Sequence, residues 1–114
     1  MKKVLITGGA GYIGTELANL LLDHDYEVTV YDTLMYDGAV LIPLFKHKNF
    51  SFIKGDILDK EKLSKAIEGQ DVVIHLAAVV GYFACDKNKR LSTDINVTGT
   101  RNITECMYED QLLL

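Results

Sequence analysis

The chain has 114 residues, 48% hydrophobic and 25% charged, with a formal net charge of −4. That length leaves room for one domain at most, and the composition is ordinary for a globular protein in water. The acidic balance, with no basic run and no aromatic-interleaved patch, argues against a nucleic-acid partner; no apolar stretch approaches membrane-spanning length.

Met1-Lys2-Lys3 is followed by only three apolar residues before the glycines, too few for a secretory signal core, so a cytoplasmic location is expected. Cys85 and Cys106 stand 21 residues apart without metal-type spacing and read as free thiols, and no metal site is expected. Asn96-Val97-Thr98 and Asn102-Ile103-Thr104 match the glycosylation pattern, but both fall in an expected helix and read as chance matches.

Val4-Leu5-Ile6-Thr7 is a short apolar strand that runs into Gly8-Gly9-Ala10-Gly11-Tyr12-Ile13-Gly14. A strand, a glycine turn and a helix start make a pyrophosphate site in sequence form. Gly8 and Gly9 are expected to supply turn dihedrals that a Cβ forbids. Gly11 lets a phosphate approach the backbone, and Gly14 lets the helix pack closely. The helix start adds unpaired N–H groups and the positive end of its dipole. The helix is expected from Gly11 to about His24, with Ile13, Leu17, Leu20 and Leu21 as its buried stripe. A second strand, Glu27–Tyr31, ends at Asp32, eighteen residues past Gly14. A carboxylate there can accept from adenosine ribose hydroxyls and would repel a 2′-phosphate, which points to NAD rather than NADP.

Met35-Tyr36-Asp37-Gly38 reads as a turn and Pro43–His47 as a short helix. Phe50–Lys54 is a third strand leading into Gly55-Asp56-Ile57. Asp59 is placed to cap a helix carrying Leu63, Ala66 and Ile67, with Gly69 ending it. Asp71–Ala78 is a near-continuous apolar run, as suits a central parallel strand. A loop, Val79–Asp86, precedes a last helix expected over Arg90–Glu109, where Gly99 implies close packing on the sheet or on a cofactor.

Thr7 to Gly14, Asp32, Gly55-Asp56, His75-Leu76-Ala77-Ala78 and Asn96-x-x-Gly99-Thr100 together resemble the extended short-chain dehydrogenases/reductases. More narrowly, the chain is similar to the NAD-dependent epimerase/dehydratase group that acts on nucleotide sugars. The resemblance spans essentially all 114 residues. It implies an α/β fold: a Rossmann-type parallel sheet of order 3-2-1-4 with helices on both faces, stopping before a fifth strand. It implies NAD as cofactor. Gly8, Gly11 and Gly14 would form the glycine motif, and the amides of Tyr12 and Ile13 would meet the pyrophosphate. Asp32 would bind the ribose, and Asp56 and Ile57 the adenine with its amino edge. Leu76, Ala77 and Ala78 would line the path to the nicotinamide, and Asn96 would help position the active site. His75, at a strand end, reads as structural rather than catalytic.

The implied chemistry is reversible hydride transfer at a sugar hydroxyl. A tyrosine acts as base, with its pKa lowered by a lysine four residues later. Free phenol, at a pKa of about 10, is too weak a base near neutrality. That Tyr-x-x-x-Lys motif is absent: four residues after Tyr12, Tyr26, Tyr31, Tyr36, Tyr82 and Tyr108 stand Glu16, Val30, Met35, Val40, Asp86 and Leu112. The chain therefore reads as a partial NAD-binding domain over residues 1–114, without catalytic residues of its own and inactive alone. An open, apolar fourth-strand edge would favour self-association or a completing chain. Two other readings stay open: a stand-alone NAD-binding or interaction module, and a methyltransferase with a related glycine turn.

Overall fold

The computed structural model describes residues 2–34, 38–76 and 94–114. In chain order the elements are β1 (Lys3–Thr7), α1 (Tyr12–Asp23), β2 (Glu27–Asp32), a 3-10 helix (Gly38–Lys46), β3 (Phe50–Lys54), α2 (Lys60–Ile67), β4 (Val72–His75), a π-helical turn (Asp94–Gly99), α3 (Thr100–Cys106) and β5 (Leu112–Leu113). All strands pair in parallel, in the order β3-β2-β1-β4-β5.

Side chains alternate across the sheet, so each strand feeds two cores. Val4, Ile6, Val28, Val30 and Phe50 pack with Ala18 and Leu22 of α1 and with Leu41 and Leu44 of the 3-10 helix. Leu5, Tyr31 and Val73 pack on the other face with Leu63, Ala66 and Ile67 of α2 and Ile103 of α3. The expected sheet covered on both faces is present.

Several sequence expectations change. The sheet does not stop at four strands. Leu112 and Leu113 pair with Val72 and Val73, Leu112 N donates to Asp71 O at 3.1 Å, and His75 N donates to Leu114 O at 2.9 Å. The fourth-strand edge is thus covered from within the chain, which removes the edge assigned to a completing partner. The buried stripe of α1 is Gly14, Ala18 and Leu22, with Leu17 and Leu21 partly buried, whereas Ile13 and Leu20 face outward. Gly14 sets that phase: it must face the glycine turn, where only a missing side chain fits. The last helix ends at Cys106 rather than Glu109. Gln111 holds the chain that follows. Its Oε1 accepts from Tyr108 N at 2.8 Å, and its Nε2 donates to Ile67 O at 2.7 Å and Gln70 O at 2.9 Å. One side chain thereby satisfies carbonyls at the end of α2 and aims the chain into β5.

Around α2 and β3 the local signals hold. The side chain of Asp59 caps α2 by accepting from Lys62 N, and Gly69 takes a φ of +83° just beyond that helix. β3 spans the expected residues. The helix expected at Pro43–His47 is instead a 3-10 helix that begins at Gly38, with Pro43 inside it. Leu41 and Leu44, three apart, share its buried side, as 3-10 geometry requires.

Candidate functional site

Because the strands are parallel, the segments leaving β1, β2, β3 and β4 meet at one edge of the sheet. Chain order reverses between β1 and β4, and ligands of open α/β sheets bind outside the carboxyl ends of strands at such a point.

The turn after β1 is closed by Gly8, at a φ of +74°, whose N–H donates to Tyr31 O at 2.9 Å. Gly11 N donates back to Gly8 O at 3.2 Å. Gly9 serves packing rather than dihedral freedom, since a Cβ there would lie 2.7 Å from the Val30 methyls. At Gly14 a Cβ would lie 2.6 Å from Gly9 Cα, against backbone that cannot yield. At Gly11 it would meet nothing nearer than Gly8 O at 3.5 Å. The space beside Gly11 is therefore a cradle open to a ligand. Gly11 is also the N-cap of α1 and contributes no side-chain cap, so the first-turn N–H groups of Tyr12, Ile13 and Gly14 have no acceptor within the helix. The Tyr12 and Ile13 side chains point to solvent, 84% and 67% exposed. The Thr15 hydroxyl lies within hydrogen-bond reach of Gly11 O and Gly9 O.

Asp32 is tied to this turn. Its Oδ2 accepts from Ala10 N at 2.9 Å and its Oδ1 from Leu34 N at 2.7 Å. Each oxygen keeps a second lone pair for a hydroxyl donor. Gly55 N donates to Asp32 O at 3.0 Å and brings the third strand's exit alongside. There Asp56 Oδ1 accepts from Leu58 N, and Asp56 O accepts both from the Tyr31 hydroxyl at 2.8 Å and from Asp59 N at 2.9 Å. Ile57 is buried, and Gly99 packs on it so closely that a Cβ would lie 2.2 Å from Ile57 Cδ1. The Asn102 side chain donates to Ile57 O at 3.0 Å. Ile57 can thus offer a ligand its backbone N–H, not its side chain. Gly99 packs on Ile57, in the loop between β3 and α2, and not on a strand of the sheet as its sequence context suggested.

At the end of β4, Leu76 N donates to Thr7 O at 2.9 Å. His75 bridges two hydroxyls: Nδ1 is 2.7 Å from Thr7 Oγ1, and Nε2 is 2.9 Å from Thr100 Oγ1. Burial lowers the His75 pKa below its ordinary value. Burial, followed by the nearby Asp59 and Asp56 carboxylates, pushes the Tyr31 phenol up to about 12.

An open cradle, first-turn N–H groups and a carboxylate with free lone pairs suit a dinucleotide with an unphosphorylated ribose. A model of the NAD dependent epimerase/dehydratase family matches residues 4–113. The chain belongs to the NAD-dependent epimerase/dehydratase family. It is 36% identical over 111 residues to CDP-paratose 2-epimerase of Salmonella typhi, covering 94% of this chain and 33% of that protein. It is 32% identical over 105 residues to 3-beta-hydroxysteroid dehydrogenase of Mycolicibacterium neoaurum, covering 89% and 27%. Among solved structures, UDP-glucose-4-epimerase of Stenotrophomonas maltophila, with bound NAD and formylated UDP-arabinopyranose, superposes with a TM-score of 0.87 at 28% identity, over 99% of this chain and 36% of that one. The chain spans about a third of the length of these relatives.

For this member of the epimerase/dehydratase family, the structure brings Gly8, Gly11, Tyr12, Ile13, Gly14, Asp32, Asp56, Ile57 and Leu76 to one edge of the sheet. Ala77 and Ala78, the Val79–Asp86 loop and Cys85 lie outside the described residues. Asn96 falls within the π-helical turn. Cys106 is a free, partly exposed thiol, as expected. The Asn102 side chain is buried and hydrogen-bonded, which fits a chance glycosylation match. Among the described residues no group of side chains could hold a metal ion, and no helix is long and apolar enough to cross a membrane. Sequence reasoning missed Tyr31, Thr100 and Asn102 as neighbours of the site. Thr100 follows Gly99 in a motif already singled out, whereas nothing local marks Tyr31 or Asn102.

Proposed function

We propose that these residues form the NAD-binding portion of an enzyme that performs reversible hydride transfer on a nucleotide sugar. The observation that carries the reading is Asp32, whose carboxylate closes the glycine turn while keeping lone pairs for two ribose hydroxyls. Bound NAD supplies a reversible hydride acceptor. The chain's own residues bind and orient it. First-turn amides at Tyr12, Ile13 and Gly14, beside the Gly11 cradle, take the pyrophosphate. Asp56 and the Ile57 N–H take the purine. Leu76, with Ala77 and Ala78, leads toward the nicotinamide. No residue of this chain is assigned the proton transfer, since it holds no Tyr-x-x-x-Lys; alone, it is expected to bind and not to turn over. A cytoplasmic setting belongs to this reading, and the free Cys106 thiol suits it.

The sugar-nucleotide substrate is supported by the likeness to CDP-paratose 2-epimerase. The likeness to a hydroxysteroid dehydrogenase favours a second reading, a sterol alcohol, with the same cofactor groove. Calorimetric titration tests the cofactor assignment. NAD and ADP-ribose should bind and NADP should bind more weakly; equal affinity for NAD and NADP would overturn the role given to Asp32.

A further inference from the structure

Tyr31 is a fully buried tyrosine on β2, between the glycine turn and the Gly55–Leu58 segment. Among the described residues its hydroxyl makes one hydrogen bond, to Asp56 O at 2.8 Å. Its ring fills the space in which any side chain at position 55 would sit: a Cβ there would lie 2.5 Å from Tyr31 Cζ. A phenylalanine would fill the same space. The hydroxyl must therefore be judged by what it holds, because a buried polar group without a partner is unfavourable. What it holds is the Asp56 peptide. That carbonyl also accepts from Asp59 N, and the Asp56 carboxylate accepts from Leu58 N through Oδ1. Three hydrogen bonds fix the orientation of Asp56. Oδ2 makes no hydrogen bond among the described residues. The phenol, pushed up to about 12 chiefly by burial, is protonated and hence a donor throughout the neutral range, as an ordinary phenol also would be.

We propose that Tyr31 is the positioning residue for the purine-reading turn: by holding Asp56 O it fixes the carboxylate and the Ile57 N–H in the register that distinguishes an amino purine from an oxo purine. The inference rests on the reading that Asp56 and Ile57 face the purine. An exocyclic amine can donate to Asp56, and the neighbouring unprotonated ring nitrogen can accept from Ile57 N–H. In hypoxanthine both partners are reversed: the amine becomes a carbonyl and the ring nitrogen carries a proton.

The test uses the full chain and two probes, NAD and its deaminated hypoxanthine analogue, titrated by calorimetry into wild type and Tyr31→Phe. Wild type should prefer NAD by about tenfold, the scale of one hydrogen bond to a charged group. In Tyr31→Phe the preference should shrink to about twofold or less, through weaker NAD binding, while the analogue binds about as before. A merely structural tyrosine would weaken both ligands alike. Circular dichroism checks the fold; if Tyr31→Phe does not fold, Tyr31→Met fills the space without a donor and repeats the comparison. A variant that keeps the wild-type preference overturns the role of Tyr31. A wild type that binds both probes equally, or neither, overturns the reading of Asp56 on which that role rests.

Discussion

Replacing Asp32 with alanine should unfold the glycine turn as well as remove a ribose contact. The carboxylate accepts from Ala10 N at 2.9 Å and from Leu34 N at 2.7 Å. Hydrogen bonds to charged groups contribute about 1.5–3 kcal/mol each. Ala10 is buried, so its N–H would be left without water; Leu34 is half-buried and can recover part of its loss from solvent. Counting the first in full and discounting the second gives about 2–4 kcal/mol for Asp32→Ala. Asp32→Asn keeps one carbonyl oxygen but turns an NH2 toward the other N–H, so about half of that loss is expected. Urea denaturation of the three proteins measures it: the midpoints should fall in the order wild type, Asn, Ala, with similar slopes. An Asp32→Ala chain within about 0.5 kcal/mol of wild type would refute the argument. The same geometry warns against removing Asp32 simply to admit a 2′-phosphate, because the turn that binds the pyrophosphate would loosen with it.

Gly11→Ala should fold like wild type and lose NAD affinity, because its Cβ meets only Gly8 O at 3.5 Å but occupies the cradle; Gly14→Ala should lose about 2 kcal/mol or more of stability, because its Cβ meets Gly9 Cα at 2.6 Å. If denaturation and titration gave the opposite pattern, the assignment of the two glycines would be wrong. His75 is held below its ordinary value by burial, so the unfolded chain takes up a proton before the folded one does. Its contribution is fully present above about pH 6.5 and is lost as pH falls through that value toward the lower folded pKa. Between about pH 7.5 and 5.5 wild type should lose more stability than His75→Gln; equal losses would contradict the burial argument. Gln111→Ala removes the side-chain donor to the carbonyls of Gln70 and of Ile67, which still accepts from Gln70 N at 3.1 Å, and should speed hydrogen exchange at Leu112 and Leu114 selectively; unchanged exchange there would show that β5 does not depend on this side chain.

What was legible in the sequence was local. The glycine turn, the cap at Asp59 and strand Phe50–Lys54 each announce themselves within a few residues, and each is where expected. Asp32 was legible because its distance from the turn is set by one helix and one strand. Strand β5 was not, since two residues of a leucine run show no period; its pairing is arranged by Gln111 reaching back to α2. The stripe on α1 was misread because Ile13 and Leu20 are apolar, while the residue that fixes the helix phase, Gly14, has no side chain to count. The Tyr31 bond to Asp56 and the His75 bridge from Thr7 to Thr100 join residues 25 to 68 positions apart. No window of the chain contains both partners, so these contacts depend on the register of parallel strands, which periodicity cannot supply.

The central claim is that the carboxyl ends of β1, β2 and β3 form one nucleotide groove. Titrating NAD into the isotope-labelled chain and following backbone amides by NMR tests it most directly. The amides of Gly8 to Gly14, Asp32 to Leu34 and Asp56 to Leu58 should shift together along one binding curve. Shifts confined to the outer faces of α2 and α3, or no saturable shift at all, would contradict it.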